Sequence, residues 1–349
     1  MLTAALTSAG LLRDARIDRV TTSVIGQGHG LTSTVWRVLP TYSTEEPTAP
    51  RSFIAKMSSA AEENREIALA LRFTDRECRA YTLVDRTGAL RRPRCYYHAA
   101  DRRSGDGVLL LEDLGGLRAE DQIAGMEPAR ARAALTALAS FHADWWQTPG
   151  MEQALGLPRF DDPMIVGVVE KIYAAAWPGF LERYAAGLCA GFLRILERLG
   201  DAIAPLAGRM AESPVTVLHG DFRADNLFFG EVAGKDAVWA IDWQIACVGA
   251  GIFDAAYFLS QSVALEADAA AEQALLEAYH AALVAGGVTG YPLERCRADY
   301  SRAVIYGLVY VVIACGLMDA TDARSARLCE TLLRRVEPLA LAHYPATLP

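Results

Sequence analysis

Apolar and polar positions alternate in four short stretches of the first third of the chain. "RVTTSVIG" and "TSTVWRVL" flank a glycine-rich turn, "RSFIAKM" follows, and "GVLLLEDL" closes the set. Alternation with many β-branched residues predicts strands. Between the last two lies "AAEENREIALALRFTDRECRAYTLVDR", rich in helix formers and free of Gly and Pro, which predicts a helix with a break near Phe73. The polar, Pro-bearing "LPTYSTEEPTAPRS" reads as a surface loop between strands. Near Gly115 the texture changes to Ala- and Leu-rich helical sequence. "PARARAALTALASFHADWW" opens with Pro128, where a helix tolerates it, and "EADAAAEQALLEAYHAALVAGG" closes on a glycine stop signal. "AGLCAGFLRILERLGDAIAPLAGRM" and "SARLCETLLRRVEPLALAHY" predict two more helices. The most apolar window, "AVIYGLVYVVIACGLM", is short of the roughly 20 residues that span a bilayer and predicts a buried core helix. The expected architecture is α+β: a small β-rich N-terminal lobe over residues 1–114 and a larger, mainly helical lobe over residues 115–349.

Composition narrows the function classes. With 349 residues and 52% hydrophobic positions the chain can bury a sizeable core. A formal charge of -8, and no run of Lys and Arg interleaved with aromatics, argue against a nucleic-acid partner. The seven cysteines are scattered without a Cys-x-x-Cys pair, against both a disulfide framework and a zinc site. The N-terminus lacks the basic start and apolar run of a signal peptide. The expectation is a cytoplasmic protein, with no membrane and no protein partner implied.

One polar cluster interrupts this apolar background. "VLHGDFRADNLFF", Val217 to Phe229, gathers His219, Asp221, Arg223, Asp225 and Asn226 beside a predicted strand. Downstream, "NLFFGEVAGKDAVWAIDW" reads as two strands around a turn at residues 232–236. A turn centred on Gly234 pairs position 226 with position 242, and cross-strand partners lie roughly 4.5 to 5.5 Å apart. Asn226 and Asp242 would then project side by side, with Asp221 just before them. Such an all-oxygen set suits Mg²⁺ far better than zinc, and Asp221 would be placed to accept a proton from a substrate hydroxyl. The competing reading is that Asp and Asn merely cap the turns.

"HGDFRADN", "AIDWQ" and "GAGIFDAAYFLSQS" together closely resemble the aminoglycoside phosphotransferase and choline kinase superfamily, which shares the protein-kinase fold. "GIFDAAYFL" and "EQALLEAYHAAL" are most similar to its ecdysteroid-kinase-like branch, and the resemblance runs from about Val24 to about Leu283. It implies Asp221 as catalytic base, Asn226 and Asp242 as magnesium ligands, His219 as a brace for the loop, and Asp254 in a structural role. It also implies ATP as phosphoryl donor. Lys56, one of three lysines in the chain, matches the strand lysine that contacts the α and β phosphates. Glu77 matches its helix partner, with Glu66 as alternative. In "IGQGHGLTSTVWRV", Gly26, Gly28 and Gly30 would open the backbone to phosphates, and Thr32, Ser33 or Thr34 could donate hydroxyls, though a plain hairpin turn reads as well. "LLLEDL" resembles the hinge, where backbone near Glu112 and Leu114 would meet the adenine; a simple connector competes for those side chains.

Other chemistries are disfavoured. No Gly-x-Ser-x-Gly elbow surrounds Ser260 or Ser262, and no metal-binding histidine pair exists; His142 reads as packed. Eleven residues separate Asp242 from Asp254 and no Ala-Pro-Glu follows, leaving no room for a peptide platform, so a small hydroxyl acceptor is expected. Acids in "RFDDPM" and "LEADAAAE" could favour a cationic acceptor. Trp145, Trp146, Trp177, Tyr173 and Tyr184 favour an apolar one, with core packing as the competing explanation. A kinase-fold protein that binds nucleotide or ligand without turnover is the alternative from another class.

Overall fold

The structure, a computed structural model, describes residues 2–25, 33–59, 62–83, 87–265, 268–319 and 321–344. In chain order its elements are α1 (Leu2–Ser8), β1 (Ile17–Ile25), β2 (Ser33–Tyr42), β3 (Phe53–Ser58), α2 (Glu62–Ala70), α3 (Phe73–Tyr81), β4 (Leu90–Arg91), β5 (Cys95–Ala100), β6 (Gly107–Glu112) and β7 (Arg118–Ala119). There follow α4 (Pro128–Trp145), α5 (Met151–Leu155), α6 (Pro163–Tyr184), α7 (Ala190–Met210), β8 (Val215–Leu218), β9 (Leu227–Val232), β10 (Lys235–Ala240), β11 (Cys247–Ala250), α8 (Ile252–Ser262), α9 (Ala269–Ala285), α10 (Leu293–Leu317) and α11 (Ala323–His343). They form two compact units. One comprises residues 1–84, 92–118 and the short stretch 241–245; the other comprises residues 85–91, 119–240 and 246–349.

The first unit is built on an antiparallel sheet in the order β1-β2-β3-β6-β5. Its core joins Leu6 of α1 and Leu12 of the loop after it to Val38, Phe53 and Leu110, strand residues that the alternation turns to one face. The expected helix is two, α2 and α3. The break falls at Arg72, whose left-handed backbone (φ 56°) ends one helix and re-aims the next.

In the second unit α10 is the central helix. It is 25 residues long, nine more than the apolar window, because Leu293–Arg302 adds polar turns such as Glu294, Arg295 and Asp299 before the apolar stretch. α6 and α10 are both long and apolar enough to cross a membrane by length and composition; 67% of the apolar window of α10 is buried inside the protein, against 28% for α6. α8 has no exposed face at all, so its apolar pattern is continuous, and its polar members Asp254, Ser260, Gln261 and Ser262 are buried with the rest. Buried polar groups persist where they are hydrogen-bonded. Asp254 and Ser262 both bond the segment that follows β8. β8 itself pairs antiparallel with β11, a strand the sequence reading did not anticipate.

The β9–β10 hairpin corrects the expected register. Val232 pairs with Lys235, so the turn is the two-residue Ala233–Gly234, both at positive φ (53° and 75°), the form that matches strand twist. The ladder ends at Leu227 with Ala240. Continued, it would oppose position 226 to 241, and Asn226 belongs to a short 3-10 turn rather than a strand. The expected pairing of 226 with 242 is therefore not made; centring the turn on one residue instead of two displaced the register by one.

Candidate functional site

In the first unit β3 carries Lys56 between Val35 of β2 and Leu109 of β6, in the middle of the sheet. The side chain is 8% exposed, and its ammonium donates to Glu77 Oε1 at 2.8 Å and to Asp242 Oδ1 at 2.7 Å. Glu77 lies on the buried face of α3; Glu66, the alternative partner, is exposed on α2. Burial alone would lower the Lys56 pKa, but Asp242 and Glu77 outweigh it and hold the ammonium above the usual lysine range. Burial pushes the Glu77 carboxyl up to about 7, Lys56 opposing and Asp242 adding.

Asp242 sits at φ 64°, a conformation a non-glycine residue adopts at a cost of about 1–3 kcal/mol and keeps where its surroundings over-determine it. Those surroundings are visible: Arg76 donates to the Ile245 carbonyl at 2.6 Å, the Trp243 main chain bonds Glu77, and the Arg92 guanidinium lies 5.6 Å from the Trp243 ring centre. With both carboxyls ionised the cluster is one positive charge short of neutral, in keeping with the upward shift of Glu77. Ser33 lines the cleft beside it with Lys56, Phe73, Glu77 and Gln244. Gly28 and Gly30, with Gly26 and Thr32, lie outside the described residues. Glu112 accepts the Arg94 main-chain N–H, and Leu114 is buried, so both side chains have structural partners.

In the second unit the loop after β8 turns at Gly220, whose φ of 86° requires glycine. Asp254 of α8, fully buried, receives the N–H of His219 at 2.7 Å and of Gly220 at 2.9 Å on its two oxygens. His142 Nε2 lies 3.3 Å from the same carboxylate and its Nδ1 2.8 Å from the Tyr279 hydroxyl, so this histidine is packed and structural. His219 Nδ1 accepts the Asp221 N–H at 3.2 Å and its ring meets Phe222 edge-on.

The Asp221 carboxylate is held by three donors. Tyr257 Oη donates to Oδ1 at 3.0 Å; Arg223 Nε (3.0 Å) and Asn226 Nδ2 (2.9 Å) donate to Oδ2. Asn226 Nδ2 also donates to the Asp221 carbonyl at 2.9 Å. With the amide nitrogen committed, Oδ1 is the atom of Asn226 fitted to a cation. Arg223 reaches onward to Gln122 Oε1 (2.9 Å) and Asp225 Oδ2 (3.2 Å), while Asp225 accepts from the Gln122 N–H and from Arg324. Burial of Arg223 would lower its pKa, but Asp221, Tyr257 and Asp225 raise it further than burial lowers it. Tyr257, buried and facing a carboxylate, titrates well above ordinary tyrosine. It is thus a hydroxyl donor to Asp221 throughout the physiological range.

Sequence reasoning left Arg223 and Asp225 without a role and did not single out Tyr257 or Gln122. A signal for the first two was present. Arg223 has an extended backbone (φ -138°, ψ 161°) just ahead of the 3-10 turn Ala224–Asn226, and its guanidinium bridges Asp221 and Asp225, its neighbours two residues to either side. The acids of "RFDDPM" and "LEADAAAE" turn out to be helix caps in part: Asp162 caps α6 and Asp268 caps α9. Trp177 stacks between Tyr173 and Phe180 along α6, with Tyr184 on the far side of Phe180. The rings beside Asp221 are instead Tyr257 and, against it, Phe253 and Tyr310. Among the described residues no group of three or more His, Cys, Asp and Glu side chains could hold a metal.

Residues 30–292 match the model of the phosphotransferase enzyme family, so the chain belongs to that family. Solved structures share its fold at low identity. A choline kinase from Cryptosporidium parvum is 9% identical with a TM-score of 0.56, covering 98% of this chain and 99% of its own. An ethanolamine kinase from Plasmodium vivax is 12% identical with a TM-score of 0.55, covering 98% and 85%. A GDP complex of aminoglycoside 2'-phosphotransferase-IIIa is 13% identical with a TM-score of 0.54, covering 97% of each chain. No curated protein sequence matches. The fold is protein-kinase-like, a β-rich N-terminal sheet with a helical C-terminal part.

Proposed function

We propose that the protein is an ATP- and Mg²⁺-dependent phosphotransferase that moves the γ-phosphate to a hydroxyl of a small molecule. The observation that carries this is Lys56 held at once by Glu77 and Asp242, an ammonium pre-positioned on the central strand where a phosphate-reading lysine is wanted. A point charge fixed this way meets an incoming phosphate without rearranging, which is how such sites stabilise transferring charge. The GDP held by the related aminoglycoside enzyme supports a nucleotide as donor here.

Asp221 is the base of the proposal: its carboxylate takes the proton of the acceptor hydroxyl as that oxygen attacks the γ-phosphorus, and the bond from phosphorus to the departing ADP breaks. Arg223, Asn226 and Tyr257 keep the carboxylate in one orientation. On the resemblance, Asn226 through Oδ1 and Asp242 through its carboxylate would be the ligands of Mg²⁺, an ion that needs only one or two protein ligands beside substrate phosphates. When bound, the ion supplies the positive charge that the Lys56–Glu77–Asp242 cluster lacks and neutralises phosphate oxygens. His219 braces the loop. Ser33 and, on resemblance, Gly28 and Gly30 serve the phosphates, and backbone near Glu112 and Leu114 the adenine.

The acceptor is proposed to be an apolar alcohol, as in the ecdysteroid-kinase-like branch; Tyr257 beside Asp221, with Phe253 and Tyr310 packed against that tyrosine, supports this reading. The cytoplasm is the proposed compartment. The test is consumption of Mg-ATP against a library of small alcohols, with Asp221→Ala as control. Phosphoryl transfer by the wild type and its loss in the variant, with nucleotide binding retained, is the expected result. A melting temperature that rises with Mg-ATP while no acceptor is phosphorylated would instead identify a binding protein without turnover.

A further inference from the structure

A cavity of about 510 Å³ opens between the C-terminal end of α8 and the second half of α11. That volume is within the roughly 300–1,000 Å³ of small-molecule pockets. Its walls are mainly apolar, from Val263, Leu265, Pro338 and Leu339, with Ser260, and among the described residues its charged side chains are Arg334 and Arg335. Neither guanidinium is paired with a carboxylate among the described residues. Arg37, Arg130, Arg159, Arg223, Arg302 and Arg324, by contrast, have acidic partners. With acids outnumbering bases overall, two adjacent unpaired arginines are a local arrangement and not the overflow of a basic protein.

Arg335 is also fixed in place. Nη1 donates to the carbonyls of Gln122 (2.6 Å) and Gln261 (2.8 Å), and Nη2 to that of Ile123 (3.2 Å). Carbonyls orient a guanidinium but bring no net charge, and three bonds leave two of its five N–H groups for another acceptor. Burial and the neighbouring Arg334 depress its pKa by more than the Asp121 carboxylate raises it.

We propose that this cavity binds a small amphiphilic anion: a carboxylate or phosphate monoester on Arg334 and Arg335, its apolar body against Val263, Leu265, Pro338 and Leu339. Guanidinium groups favour these two anions because their donor forks match paired oxygens. The site is distinct from the Asp221 carboxylate and its three donors, none of which line it.

The experiment is calorimetric titration of the full chain, without nucleotide, using octanoate and octyl phosphate below their micellar concentrations. Octanol, octyltrimethylammonium, acetate and inorganic phosphate serve as controls. At least one of the two amphiphilic anions binds at least tenfold more tightly than every control, and which of them binds more tightly identifies the headgroup. Arg334→Gln, at an exposed position, weakens that binding at least tenfold with an unchanged melting temperature. Ala264→Trp, also at an exposed position, fills the cavity and abolishes it. Binding no tighter than that of octanol, or binding equal in the wild type and both variants, overturns the proposal. Because no turnover is read, neither result depends on the Asp221→Ala assay.

Discussion

Replacing Asp254 by asparagine isolates what holds the Asp221 loop. Both carboxylate oxygens are used, Oδ1 by the Gly220 N–H at 2.9 Å and Oδ2 by the His219 N–H at 2.7 Å, with no solvent exposure. An amide of the same shape has one oxygen, so in either orientation its NH₂ faces a main-chain N–H. One charge-assisted bond is lost, worth about 1.5–3 kcal/mol, and one buried donor is left unsatisfied at about 1–3 kcal/mol. A total near 4 kcal/mol is a large part of the roughly 5–15 kcal/mol that holds a domain together. The melting temperature should fall by on the order of 10 °C. Gly220 immediately precedes Asp221, so the freed N–H also loosens the base, and kcat should fall at least tenfold while the KM for nucleotide changes less than twofold. Thermal and urea unfolding give the first quantity, and steady-state kinetics on an acceptor from the alcohol screen give the second. A variant that melts within 2 °C of wild type and turns over at the same rate would show that Asp254 does not anchor the loop.

Three further outcomes are expected. Lys56→Met leaves Glu77 and Asp242 with no ammonium between them and should lower kcat/KM for nucleotide by roughly a hundredfold or more, the usual scale for removing one pre-positioned charge donor. Gly316→Val should destabilise the helical unit by about 1–3 kcal/mol or more in urea titration, since a Cβ there overlaps the Ala176 carbonyl and lies 2.7 Å from the Ala176 Cβ where α10 crosses α6. Asp75 is partly buried, which raises its pKa, but Arg102, Arg72 and Arg79 lower it by more. A carboxylate depressed in the folded state stabilises above its unfolded value, near 3.8, and that stability is lost as pH falls through the lower folded value. Asp75→Asn should therefore lower the melting temperature by a few degrees at pH 7, and the difference from wild type should shrink as pH falls below 3.8 and vanish once Asp75 is protonated in the folded state.

What could be read from the chain and what could not divide along a physical line. Periodic patterns span many residues, so α4, α9, α11 and the strands β1, β2, β3 and β6 were legible, and so was the break between α2 and α3. Single-residue geometry was not. Whether a turn is centred on Gly234 or falls between Ala233 and Gly234 changes no composition and no periodicity, yet it decides whether position 226 faces 241 or 242. The partners of Asp221 show the same limit from the other side. Asn226 and Arg223 lie within five residues and were in view, and an arginine flanked two residues to either side by aspartates was a local charge signal. Tyr257 lies 36 residues from Asp221, on α8, and Gln122, which bonds Arg223, lies 101 residues from that arginine, ahead of α4; no local pattern points from either to its partner. α8 still held a clue: a helix apolar on every side that nevertheless contains Asp254, Ser260, Gln261 and Ser262 must bury them, and a buried polar residue needs a partner. For Asp254 and Ser262 that partner is the loop that carries Asp221.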